Sequence, residues 1–159
     1  GINKRSILFN LTTINFPNSF TVDIMHLFYE NIAKYMFEYW TGTFFSDASQ
    51  NNEPYVLAKS VWSEIGNQMH SLRKDLPSNP GRPLRNILHH YRGYKAEEWA
   101  AWITMYSLPL LKGRLPSEYY NGWSLFVRAV RLCQKKVISV HDLNNINELL
   151  LKFYTHYEK

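Results

Sequence analysis

Within the stretch TVDIMHLFYEN, residues 21–31, an aspartate and a histidine stand three residues apart in a run that is otherwise almost wholly apolar. On a helix Asp23, His26 and Glu30 occupy positions i, i+3 and i+7, so the spacing predicts that they project from one face. A carboxylate, an imidazole and a second carboxylate could bind a divalent metal, or hold a phosphate and a proton donor close together. Each residue also has a plain reading. Asp23 falls in the first helical turn, where the dipole favours an anion, His26 could be a core histidine, and Glu30 could face water.

A second constellation is basic. GRPLRNILHHYRGYK, residues 81–95, offers Arg82, Arg85, Arg92 and Lys95, with His89, His90, Tyr91 and Tyr94 between them. Arginines grip phosphates bidentately, and aromatic rings stack on exposed bases. The alternative is a surface loop whose arginines pair with acids elsewhere in the fold. Six Lys/Arg and one acid lie between Arg73 and Lys95, and six more face a single Glu118 between Lys112 and Lys136. Clustered positive charge favours a phosphate backbone, because binding releases condensed counterions.

The other reactive side chains form no site of their own. His89 and His90 are adjacent and diverge by about 100° on a helix, so they do not easily chelate one ion. His70, His141 and His156 lack Cys or carboxylate neighbours at metal-ligand spacing. Cys133 has cationic neighbours that could lower its pKa, yet it stands at a helical core position after Val130. No metal site is expected within the chain. Gly-rich phosphate loops, G-x-S-x-G and H-E-x-x-H are all missing from the sequence.

The elements that would carry these residues read as helices. Residues 21–41 place Met25, Phe28, Ile32, Met36 and Tyr39 at three-to-four spacing, with Thr21 as the expected cap and Gly42 as the stop. Val61, Ile65, Met69 and Leu72 predict a second helix from about Tyr55 to Lys74. LPSNPGRPLRN then reads as a loop. A third helix is expected from Lys95, with Glu97 and Glu98 in its first turn, ended or kinked by Pro109. Ser117 should cap a fourth that runs to about Lys136, and Ser139 with Asp142 should open a fifth towards Tyr157. SILFNLTTINF, residues 6–16, is the one stretch that reads as a strand.

Composition agrees with a packed fold. The chain has 159 residues, a net charge of +5, and is 45% hydrophobic and 16% aromatic, which excludes a disordered segment. No apolar run is long enough to span a bilayer, so no membrane partner is expected. The lone Cys133 cannot form an internal disulfide, which points to an intracellular protein. The expected fold is mainly α, a single domain of about five helices with one short N-terminal strand.

SFTVDIMHLFYENIAKYMFEYWTG, GRPLRNI, KAEEWAAWITMYSLPLL and LPSEYYNGW, in that order, resemble transposases of the CACTA (En/Spm-like) class, especially fungal transposon-derived copies. The likeness extends from about Ser6 to Lys159. It implies a nuclear protein that cuts and joins DNA with an RNase H-like core, in which two aspartates and a glutamate hold two Mg²⁺ or Mn²⁺ ions. Asp23 and His26 match the family's [C/D]-x-x-H motif, which would make them accessory catalytic residues. Residues 1–42 would then be the end of a core segment and residues 54–159 a helical insertion. The alignment puts the first two catalytic aspartates before Gly1 and the glutamate beyond Lys159, so this chain would hold no metal cofactor and would not cleave DNA alone. Two functions stand: a transposase fragment or domesticated remnant contacting DNA through Arg82, Arg85, Arg92 and Lys95, or a non-catalytic helical module binding a protein or a second copy of itself.

Overall fold

A computed structural model of the chain describes residues 4–15, 18–45, 53–72 and 84–158, and they are mainly helical, with no strand among them. A π-helical stretch, Met25–Ala33, runs directly into α1, Lys34–Trp40. Then come α2 (Lys59–Leu72), the short α3 (Ile87–His90) with a 3₁₀ turn at Tyr91–Gly93, and α4 (Ala96–Ala101). A second π stretch, Trp102–Tyr106, joins α4 to α5 (Ser107–Leu111). Two long helices, α6 (Ser117–Cys133) and α7 (Val140–Tyr157), complete the fold. No helix of the described residues is long and apolar enough to cross a membrane.

The expected strand is not formed. Residues 7–10 make a 3₁₀ turn instead, with the Ser6 hydroxyl accepting the Leu8 N–H at 3.3 Å. A strand without a neighbour leaves its backbone groups unpaired, whereas turn bonds satisfy them locally. Ile7 and Leu11 accordingly stay exposed, with no sheet to bury them.

The helix ends follow their local chemistry, with several shifts from expectation: α2 starts at Lys59 and not near Tyr55, and α6 ends at Cys133 and not near Lys136. The first helix starts beyond Thr21. Asp23 performs the capping, its Oδ1 accepting the Met25 N–H at 2.8 Å and its carbonyl the Leu27 N–H at 2.9 Å. Ser117 lies inside the first turn of α6 rather than capping it, because Pro116 supplies the fixed entry angle. Gly42, at φ +68°, closes α1 in a Schellman turn, with Gly42 N–H to Tyr39 C=O and Thr43 N–H to Glu38 C=O. At α7 the expected capping box is present: the Asp142 N–H bonds the Ser139 hydroxyl and the Ser139 N–H bonds Asp142 Oδ2, both at 3.1 Å.

Pro109 neither ends its helix nor sharply interrupts it. In the π stretch the Ser107 N–H reaches back five residues to the Trp102 carbonyl. The same pattern would send the N–H of residue 109 to the Thr104 carbonyl, but proline has none. Arg131 of α6 fills the vacancy, its guanidinium donating to Thr104 O through Nε at 3.0 Å and Nη2 at 2.5 Å. The break is thus absorbed by a wider turn, and α5 continues to Leu111.

All five tryptophans are buried and organise the core. Trp40 stands edge-on to Trp123, and Phe37 packs against Trp62, Tyr91 and Trp99. The Trp40 carbonyl, orphaned at the end of α1, accepts the Trp62 Nε1–H at 3.2 Å and the Leu57 N–H at 2.8 Å. Trp123 Nε1–H donates to Ser107 Oγ at 2.9 Å, and that hydroxyl donates to the Ile103 carbonyl at 3.0 Å. Helices α6 and α7 form an antiparallel pair zipped by Phe126 on Phe153, and they approach closely at Gly122, which faces the His156 ring.

Candidate functional site

The start of the Met25–Ala33 stretch carries the Asp23–His26 pair. Asp23 Oδ2 and His26 Nδ1 are 2.5 Å apart, and both side chains are more than half exposed (54% and 61%). The hydrogen bond from His26, followed by the one from the Met25 N–H, holds the Asp23 carboxyl below its ordinary range. A carboxylate only accepts, so the proton lies on Nδ1 and His26 is the donor. Its other nitrogen, Nε2, has no protein partner among the described residues. The pair is therefore a fixed carboxylate–imidazole dyad turned towards solvent.

Glu30 does not complete a triad. Bonds of the i→i+5 type widen the turn beyond 3.6 residues, which rotates Glu30, seven residues on, away from Asp23. Among the described residues no three His, Cys, Asp or Glu side chains are grouped to hold a metal ion. One carboxylate and one imidazole do not by themselves form the divalent-metal site that the spacing of Asp23, His26 and Glu30 suggests.

The basic residues have diverse fates. Arg82 lies outside the described residues. Arg85 forks onto Glu98, Nε to Oε1 at 2.7 Å and Nη2 to Oε2 at 2.6 Å, and also donates to the Gly93 carbonyl. It clamps the α3–α4 corner, with its side chain still 40% exposed. Arg92 is exposed, its guanidinium over the Tyr91 ring at 5.7 Å, and Lys95 is exposed at the start of α4. Half of the downstream cluster is also engaged, Arg114 with the Leu110 carbonyl, Arg131 with Thr104 and Lys135 with Asp142, while Lys112, Arg128 and Lys136 are exposed. His89 and His90 are both exposed. Burial raises the Cys133 thiol pKa, so its cationic neighbours do not activate it.

The structure adds a cleft of about 670 Å³ that the sequence does not announce. One wall is α1, with Tyr35, Tyr39 and the buried Trp40. Tyr119 of α6 and Tyr157 of α7 form the other, and Tyr55 stands between them. The nearest sequence signal is the Tyr35/Tyr39 pair, one turn apart on α1.

Compared with protein families, with curated proteins and with solved structures, the chain matches none.

Proposed function

We propose that this chain is a piece of the catalytic domain of a cut-and-paste DNA transposase, one that contacts DNA and leaves the cleavage chemistry to residues it does not contain. The observation that carries this reading is the exposed dyad. Asp23 fixes the ring and tautomer of His26 and leaves Nε2 outward, the arrangement needed to donate to, or take a proton from, a phosphate-bearing ligand. Arg92, exposed with its guanidinium over the Tyr91 ring, and the exposed Lys95 supply backbone contacts that position DNA without reading its sequence.

Gel-shift titration at low and physiological salt tests the reading. Affinity should fall steeply with salt, by a slope of roughly 0.9 in log–log terms for each phosphate neutralised. Neutralising Arg92 and Lys95 together should flatten that slope. A complex indifferent to salt, or none even at low salt, would refute the proposal. Mg²⁺ or Mn²⁺ added to the chain alone should give no strand cleavage, and cleavage that vanishes in Asp23→Ala would overturn that part.

The hydrogen bonds that engage Arg85, Arg114 and Arg131 within the fold favour a second reading, a helical module that binds another protein. It predicts no DNA affinity at physiological salt and indifference to Asp23→Ala and His26→Ala.

A further inference from the structure

The cleft between α1 and the α6–α7 pair is lined by aromatic rings set at angles to one another. Tyr39 stands at 85° to Tyr55, with centroids 6.3 Å apart, and Tyr55 at 73° to Tyr119, 5.4 Å apart. Rings that meet near right angles enclose corners, whereas parallel rings would only stack. The corner is held from outside: Tyr39 stacks on Phe44 at 4.1 Å, and the Tyr157 hydroxyl donates to the Tyr119 carbonyl at 3.3 Å. Buried Trp40 and Met36 also line the cleft.

Its lining does not share the chain's excess of Lys and Arg. The net charge is +5, yet among the described residues no Lys or Arg lines the cleft, whose charged or ionisable groups besides the tyrosines are the Glu118 carboxylate and the His156 imidazole. Aromatic rings carry negative faces that attract cations, most strongly those that shed water easily, as alkylated ammonium groups do. The volume lies within the range of small-molecule sites and leaves room for the stem on which such a group is carried.

We propose that this cleft is a binding site for a quaternary or methylated ammonium group, with Tyr39, Tyr55 and Tyr119 as the aromatic cage and Glu118 as the counter-charge. The proposal stands apart from the DNA reading, because the cleft shares no residue with the Asp23–His26 dyad or with Arg92 and Lys95.

Calorimetric titration of the full chain with choline tests it, set against the neutral isostere in which a tert-butyl group replaces the trimethylammonium. Choline should bind about tenfold more tightly than the isostere. Glu118→Gln, an exposed change that leaves the core intact, should weaken choline binding several-fold, and Tyr55→Leu should weaken it further in protein whose thermal melt remains cooperative. Equal or tighter binding of the neutral isostere would make this an ordinary apolar cleft and overturn the proposal. So would absence of saturable choline binding, or affinity unchanged in both variants. A peptide bearing trimethyllysine, compared with its unmethylated twin, distinguishes the source. Tighter binding of the methylated peptide than of choline assigns the site to a protein side chain, and the reverse to a free small cation; either order supports the ammonium chemistry.

Discussion

Replacing Gly122 with alanine probes how closely α6 and α7 approach. A Cβ built on Gly122 would lie 2.3 Å from His156 Cδ2, 2.5 Å from Nε2 and 3.0 Å from Cγ, well inside the 3.5–4.0 Å or so of ordinary carbon contact. Forcing atoms into such a space costs about 1–3 kcal/mol. Alanine in place of glycine inside a helix contributes about 1 kcal/mol in the opposite direction. The blocking atoms belong to a side chain in the last turn of α7, which can swing, so the cost should sit near the lower end. Gly122→Ala alone is therefore expected to destabilise by up to about 1 kcal/mol, or roughly 2–4 °C in Tm for a chain of this size. In a His156→Ala background the obstruction disappears and only the helix preference remains. There, the same change should stabilise by about 0.5–1 kcal/mol. Urea denaturation of the four proteins in the cycle, at constant m-value, measures the coupling. A gain of equal size in both backgrounds would refute the reasoning, because it would mean that the His156 ring does not rest on Gly122.

Trp123→Phe removes the donor to Ser107 Oγ in a place where both residues are fully buried, and should cost about 2–4 kcal/mol through the lost hydrogen bond and the space left by the smaller ring. Adding Ser107→Ala should recover about 1 kcal/mol in chemical denaturation, and no recovery would mean that the hydroxyl does not depend on the indole. Asp142, held down to about 2 by the Lys135 ammonium and then by Ser139, has a folded pKa below its ordinary 3.8. Its contribution is complete above that ordinary value and is lost as pH falls from 3.8 towards about 2, so Asp142→Asn should lower Tm at neutral pH and the gap from the native chain should close across that window. A gap that stays constant through the window would show that the charge is irrelevant.

Much of the helical frame is legible residue by residue. Phe28 and Met36 are buried as their spacing predicts, Gly42 takes the left-handed stop, and the Ser139–Asp142 box opens α7. Such signals act over one turn of chain, so the sequence displays them directly. Widened turns are harder to read, because apolar residues three or four apart suit both a narrow and a broad helix. The i, i+7 spacing brings Glu30 beside Asp23 only on a helix of ordinary turn. Arg85 was offered to phosphate because its partner, Glu98, lies thirteen residues on and meets it only after the chain turns through α3. The cleft is the extreme case: its tyrosines come from α1, from residue 55 and from the near ends of α6 and α7, and only packing brings them together.

The wide turn at Trp102–Tyr106 has one further consequence. Broadening part of a helix rotates everything beyond it about the axis, so the rod from residue 96 to 111 has two phases instead of one. The earlier phase turns Trp99 inward and the later one Leu110 and Leu111; at about 100° per residue a uniform α-helix would keep Leu110 in line with Trp99 and turn Leu111 about 120° away. Pro109 keeps the later phase from relaxing into the earlier, and Arg131 reads the offset from a different helix. Removing a single residue between Trp102 and Tyr106 would let the wide turn close to ordinary α turns: the rotation lost with the residue, about 100°, is nearly restored by the tighter turns, so Leu110 and Leu111 should keep their face and the rod should only shorten.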